Sequence, residues 1–318
     1  MPYINVDEAY ILDNTGLQVD MTTDIPFADA GFSDTQKEQA RKNIGAGSTN
    51  PNLLDNWYFV GGGSQLGDGV FPINQRGLTS YTGGGGKLDR WKHLNGNGTL
   101  TLTANGIVMT ATGDLYLSQV FGTSAVNAKS GAWTISVKTA DGTVYSKTYA
   151  DNDQGLTLPS TTYIYAGGSS SLAIKVPAGV TSETISAIKL EKGSVSTLAN
   201  DIPPVFSEEL AKCQHYLWQQ TFPVNAIIGI GTAISATQLI INIDAPVAMR
   251  NTAGATITFN ANVGLLGDGG IYTAASITGI NIYDNHIRLV ATSSGLTAYK
   301  NYTFFTLSET TMMISNEL

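Results

Sequence analysis

Along most of the chain, hydrophobic residues recur at every second position in short runs broken by Gly, Asn, Asp and Pro. The clearest run is T-L-T-L-T-A-N-G-I-V-M-T-A-T, residues 99–112. It places Leu100, Leu102 and Ala104 on one face and returns with Ile107, Met109 and Ala111. Asn105-Gly106 predicts a two-residue type I′ hairpin turn between them. L-Y-L-S-Q-V-F follows, then A-W-T-I-S-V-K-T, in which Trp133, Ile135 and Val137 alternate inward. Asp141-Gly142 predicts a turn into T-V-Y-S-K-T-Y, and T-T-Y-I-Y-A, S-L-A-I-K-V-P and T-I-S-A-I-K-L-E complete the series. No helical stretch separates these runs, so they predict an antiparallel sandwich rather than a parallel sheet. From Val224 to Leu318 the period of two returns in T-Q-L-I-I-N-I-D, A-T-I-T-F-N, I-N-I-Y-D-N-H-I-R-L-V-A-T, N-Y-T-F-F-T-L and T-M-M-I-S. The third of these predicts a hairpin turning at Asp284-Asn285. The roughly 95 residues from Val224 to Leu318 suffice for one small β domain.

A helical period appears in two places. In Ser207–Gln220, with the residue before it, Phe206, Leu210, Cys213 and Leu217 recur at spacings of four, three and four, a single helical stripe. Ser207 suits the N-cap, and Glu208 and Glu209 suit the positive end of the dipole. The stripe needs cover, either from the same helix in two further copies of the chain or from its own neighbouring domain. The second place is F-S-D-T-Q-K-E-Q-A-R-K-N-I-G-A-G, where Ser33 and Gln36 form a capping box and Gly45 a stop. A helix over Asp34–Asn43 follows, with Ala40 and Ile44 as its few apolar residues, so it must dock or oligomerise. Before it, Y-I-L-D-N-T-G-L-Q-V predicts a small hairpin around Asn14 to Gly16, and Gly45–Pro51 reads as a linker. The expected architecture is mainly β. It comprises an N-terminal helical attachment segment (1–50), a jelly-roll β-sandwich (51–200), a short connecting helix (201–222) and a C-terminal β-sandwich tip (223–318).

Composition agrees with short strands and tight turns: 35 Gly and only 13% charged residues among 318. Hydrophobic residues at 42% are enough for real cores. The net charge of −8, with 17 Lys and Arg and no basic cluster, argues against nucleic acid or an anionic membrane as partner. One cysteine, Cys213, leaves no intrachain disulfide framework. M-P-Y-I-N-V-D-E-A-Y has neither the basic nor the apolar region of a secretory signal, and no run of 18 apolar residues occurs. Synthesis in a cytosol is expected.

Three stretches resemble bacteriophage tail-fibre or receptor-binding proteins. D-T-Q-K-E-Q-A-R-K-N-I-G-A at 34–46 is similar to a helix common in fibre proteins. N-L-L-D-N-W-Y-F, I-N-Q-R-G and Y-T-G-G-G-G-K-L-D-R-W resemble the opening of a carbohydrate-binding-module-like jelly roll, and I-K-L-E-K-G-S its closing strand. E-E-L-A-K-C-Q-H-Y-L-W resembles the segment joining such a jelly roll to a distal tip, although His215-Tyr216-Leu217 replaces the usual basic–aromatic–aromatic run. P-V-A-M-R at 246–250 and the ending I-S-N-E-L extend the likeness into the tip. The resemblance implies a homotrimeric adhesin of the virion tail. Its N-terminus would hang on a baseplate or tail protein, and its far end would touch a host cell-surface polysaccharide. Trimer-interface residues are then expected at Phe206, Leu210, Cys213, Leu217 and Ile44. The stripe is under two heptads, so the β domains would have to supply most of the interface.

Candidate chemistry adds little beyond binding. Gly83–Lys87 lacks the spacing and the Ser or Thr of a phosphate loop, no G-x-S-x-G occurs, and His93, His215 and His286 have no metal-ligand spacing. Asp151 and Asp153 have the early oxygen spacing of a calcium loop without its closing glutamate. Glycan cleavage needs two facing carboxylates, and Asp89, Asp114, Asp141, Glu183 and Glu191 show no pairing in the sequence. Sugar rings dock on aromatic faces with amide and carboxylate contacts around them. On that basis the candidate glycan-binding residues are Tyr272, Tyr283, Asn285, His286 and Tyr299 in the tip, with Trp57, Tyr81 and Trp91 in the sandwich. The alternatives are a short glycan depolymerase and a structural fibre spacer.

Overall fold

The computed structural model describes residues 10–12, 18–20, 51–63, 70–120, 132–149, 155–167, 171–250, 255–267, 269–273, 276–283 and 285–316. The expected helix at 34–43, Ile44, and Asp151 with Asp153 lie outside the described residues. Met1–Thr49 and Asn50–Leu318 are separate compact units. In the first, β1 (Tyr10–Leu12) pairs antiparallel with β2 (Gln18–Asp20), Tyr10 opposite Asp20, the two arms of the expected hairpin.

The second unit is mainly β. Its sandwich begins with β3 (Ser80–Thr82), β4 (Gly85–Leu88), β5 (Trp91–His93), β6 (Gly98–Thr103), β7 (Gly106–Ala111) and β8 (Leu115–Val120). It continues with β9 (Trp133–Thr139), β10 (Val144–Tyr149), β11 (Leu156–Thr157), β12 (Tyr163–Gly167), β13 (Ser171–Val176) and β14 (Ile185–Lys192). They form two six-stranded antiparallel sheets, ordered β10-β9-β14-β7-β6-β3 and β11-β12-β13-β8-β5-β4. The inward residues of both sheets meet in one core that includes Leu100, Met109, Leu117, Ile135, Ile174 and Ile188. Trp133 lies in that core, where its alternation puts it.

The hairpin at 99–112 forms one residue away from the expected turn. Thr103 pairs with Gly106, so Ala104 and Asn105 make the loop, and Ala104 is exposed instead of facing inward. Asn105 is not left-handed, so the type I′ expectation fails. Gly106 (φ +146°) has a different use: a Cβ there would lie 2.2 Å from the Ile185 carbonyl oxygen of β14. The glycine admits a neighbouring strand rather than turning the chain.

After the sandwich, α1 (Phe206–Gln214) leads into β15 (Leu217–Phe222), β16 (Ile227–Ala233), β17 (Gln238–Asp244), β18 (Thr256–Phe259) and β19 (Val263–Gly267). β20 (Gly270–Thr273), β21 (Ser276–Tyr283), β22 (His286–Thr292), β23 (Asn301–Thr306) and β24 (Thr310–Ser315) complete the chain. A three-stranded sheet, β15-β24-β18, and a seven-stranded sheet, β20-β19-β23-β16-β17-β22-β21, share a second core around Trp218, Leu239, Ile241, Leu289, Phe304 and Ile314. β20 and β21 are the outer strands of the larger sheet, yet two residues separate them in the chain. Three Cα steps reach at most about 11 Å, so the sheet must curl until its edges approach.

The connecting helix is shorter than the period of Phe206–Leu217 predicts. Val205, not Ser207, occupies the N-cap, and no side chain caps it. The helix stops at Gln214, and Leu217 belongs to β15. That strand pairs with β24 along its whole length, from Leu217 opposite Ser315 to Phe222 opposite Thr310. A ladder supplied from nearly one hundred residues away outweighs the local helical period.

Candidate functional site

The helical stripe finds its cover within the chain. Cys213 packs with Phe71 and Ile73, and Tyr58, Phe206 and Leu210 close around them. Phe71 meets Tyr58 and Phe206 edge to face at 5.5 and 5.9 Å. Cys213 and Leu217 are fully buried. Burial, with the nearby carboxylates adding to it, holds the Cys213 thiol well above its usual range. Of the two covers considered from sequence, the chain's own sandwich is the one present. Cys213 and Leu217 are thus covered within the chain, while Phe206 and Leu210 stay half-buried.

Around this cluster stretches far apart in the sequence converge on one buried joint. Asn56, fully buried at φ +49°, donates its amide hydrogens to the carbonyls of Ile73 and Asp89 and accepts from the Ile73 N–H. Its backbone N–H donates to Glu209 of α1, and its carbonyl accepts from the Trp91 indole. Gln75 donates to Asp89 at 2.7 Å and to the Leu217 carbonyl at 2.6 Å, while Gln219 of β15 donates back to Gln75 twice. Tyr216 lies under the Arg90 guanidinium, 3.4 Å from its ring centroid, with Arg250 at 5.9 Å. Asn316 bonds both Tyr216 and Arg250 through their carbonyls. Residues quoted from 52–59, 73–77, 87–91, 208–218, 246–250 and 314–316 thus build the mount that holds the tip on the sandwich. Every polar group of Asn56 is used, which suits a rigid joint.

This placement corrects three expected binding residues. Trp57, Tyr81 and Trp91 are buried in the sandwich core, so none offers a ring face to a sugar. The Tyr81 hydroxyl donates to Asn74, and burial first, then Asp89, pushes its pKa up to about 12. The sandwich instead presents half-buried tyrosines on β8 and β12. Tyr163 and Tyr165 stack at 5.4 Å on β12, and Tyr163 lies across from Lys175, which lies across from Tyr116. All three rings are half-buried. The signal was present in Y-I-Y, since Ile164 between them is buried and period two turns both tyrosines outward.

In the tip the five expected residues divide between positions. Tyr272 is half-buried, edge to face with Tyr302 at 5.8 Å. Tyr299, 85% exposed at φ +67°, follows β22 and bonds Ala233 at the end of β16. Tyr283, Asn285 and His286 lie at the opposite end of the sheet, where Tyr283 faces His286 and His286 faces Asp244. His286 Nδ1 and Asp244 Oδ1 are 2.5 Å apart. One step along the strands, Asn281 faces Arg288 and Arg288 faces Asn242. All six side chains are exposed, while Ile282, Ile287, Leu289, Ile241 and Ile243 between them are buried. Tyr283, His286, Asp244, Asn281, Arg288 and Asn242 therefore form two rows of three on one sheet face. From strand spacing and cross-strand diagonals the array measures about 10 by 7 Å, the footprint of one or two sugar rings. Sequence reasoning found two of the six and missed the rest, although N-I-D and H-I-R carry the same alternation.

The second row continues across the sheet and changes character. Beyond Asn242 lie Ile230, Thr303, Leu266 and Ile271, each opposite the next. The three aliphatics are 63%, 48% and 62% exposed. One face thus has a polar half and an aliphatic half.

The carboxylates considered for glycan cleavage sit in local contacts. Asp89 is buried with Gln75, Glu191 accepts from Thr197, and Glu183 accepts from Ser160. The Lys175 hydrogen bond holds Asp114 below the usual carboxylate range, and the Thr139 hydroxyl does so for Asp141. Among the described residues no three His, Cys, Asp or Glu side chains converge on a metal position. No helix among them is long and apolar enough to cross a membrane. Comparison with family models, curated proteins and solved structures returned no match.

Proposed function

We propose that the chain is a homotrimeric receptor-binding protein of a phage or prophage tail, attaching the virion to a host cell-surface glycan without cleaving it. The observation that carries this reading is the exposed array of Tyr283, His286, Asp244, Asn281, Arg288 and Asn242. It combines one ring face with amide and charged groups, the mixture that a pyranose needs for its CH face and hydroxyl edge. The likeness of three stretches to tail-fibre proteins supports the setting, with the N-terminal segment on a baseplate or tail protein. The joint supports a mount-and-tip organisation, because it fixes the C-terminal sheets on the sandwich through buried bonds.

Three weak sites on one trimer, and several trimers on one particle, give avidity without a tight single site. The aliphatic half of the tip face is the surface suited to holding three copies together. Ile230, Leu266 and Ile271 stand in line on the outer face of the sheet, and large exposed apolar patches mark interaction sites.

A second reading has its own observation. The tyrosines at 116, 163 and 165 form a ring platform on the sandwich, so the sugar contact would lie there and the tip would act as a spacer. Incubation with purified host envelope polysaccharide separates the classes. Binding with no change in chain length is expected. Shortening of the polysaccharide would favour a depolymerase, and neither effect would favour a structural spacer.

A further inference from the structure

The tip is poor in charge. Over residues 223–318 its only cations are Arg250, Arg288 and Lys300. Arg250 is placed beside Tyr216 in the joint. Arg288 stands exposed in the middle strand of the array, with Asn242 on one side and Asn281 on the other. Among the described residues no carboxylate pairs with it, and the acid of the array, Asp244, is engaged by His286. With three cations over the whole tip, one placed in the middle strand of an otherwise uncharged amide row is not generic solvation.

A guanidinium carries donors only, five N–H bonds in a rigid plane. Two parallel bonds from that fork match a planar oxyanion far better than a lone hydroxyl. The flanking carboxamides both donate and accept, which suits ring hydroxyls on either side of the charged group. Tyr283, diagonal to Arg288, is within reach of the same ring.

We propose that the array takes a negatively charged sugar residue, with Arg288 on its carboxylate or phosphate oxygens and Asn242 and Asn281 on its hydroxyls. This rests on the adhesin reading above and specifies its ligand class. In the tyrosine platform of the sandwich, Lys175, the lysine between the rings of Tyr163 and Tyr116, is paired with Asp114 at 2.7 Å, so the cation at its centre is already neutralised.

The test uses the full chain and short oligosaccharides released from the envelope polysaccharide of a strain to which the chain adsorbs, so that each site is read singly. The fragments are compared native, carboxyl-reduced and dephosphorylated. Arg288→Gln should bind the native fragment about 10- to 100-fold more weakly than wild type, as expected for loss of a charge-assisted contact. One of the two treatments should weaken wild type by a similar factor and identify the anion as carboxylate or phosphate. On that treated fragment wild type and Arg288→Gln should bind alike, because the variant and the treatment remove the same contact. Arg288 is exposed, so the variant should melt with wild type, which guards against misfolding as the cause. Equal wild-type binding to all three fragments would overturn the proposal, as would full affinity of Arg288→Gln for the native one. Failure of wild type to bind any fragment is a different result: it sinks the adhesin reading and takes this inference with it.

Discussion

Asn56→Leu is expected to lower the melting midpoint of the chain by roughly 8–15 °C, the largest stability effect of any single polar substitution considered. Leucine keeps the branched skeleton, with bulkier methyl groups, but removes both donors and the acceptor. Ile73 N–H and the carbonyls of Ile73 and Asp89 would then be buried without partners. Each orphaned group costs on the order of 1–3 kcal/mol, and a left-handed backbone that suits asparagine costs leucine about 1 more. Partial relaxation brings the sum to about 4 kcal/mol. The effect should reach beyond the sandwich, because Glu209 bonds the Asn56 N–H and ties α1 to the same hub. Calorimetry of Asn56→Leu beside the exposed control Asn242→Leu checks this. A wild-type midpoint for Asn56→Leu would show that the joint does not depend on this hub.

Ile230→Asp combined with Leu266→Asp is expected to convert a trimer into a monomer near 33.5 kDa while leaving each chain folded. In the isolated chain both side chains face water, so the substitutions remove nothing from a core. In an assembly they would place carboxylates where aliphatic groups meet, at a loss of about 1.5–3 kcal/mol for each buried side chain, before the desolvation of charge. Losing threefold valency should weaken adsorption to host cells about 10²- to 10⁴-fold with no contact to the glycan removed. Light scattering and cell adsorption read the two consequences separately. A trimer that survives the pair would move the interface off this face, and a monomeric wild type would remove the trimer itself.

What was legible in the sequence, and what was not, follows from where each signal originates. The mainly β architecture lies in local alternation, and Ile135, Ile164, Leu289 and their neighbours are buried as their period demands. β15 was not legible, because its partner β24 comes from the far end of the chain while Leu217 keeps helical step with Cys213. Gly106 looked like a turn residue because Asn-Gly usually is one. Its real constraint, the Ile185 carbonyl, is again distant in sequence. Aromatic identity alone does not tell a sugar platform from a core residue, and Trp57, Tyr81 and Trp91 fill the sandwich core. The tip array was half legible. Tyr283 and His286 flank an obvious turn, whereas Asn242 and Asp244 join them only through strand pairing.

The most direct measurement is adsorption of two full-chain variants to the same host cells. One, Tyr283→Ala with Asn281→Ala, strips the tip array; the other, Tyr163→Ala with Tyr165→Ala, strips the sandwich platform. The tip variant should lose most of its adsorption and the sandwich variant should keep it. If adsorption instead falls with the sandwich tyrosines and survives loss of Tyr283 and Asn281, the tip is not the adhesive surface.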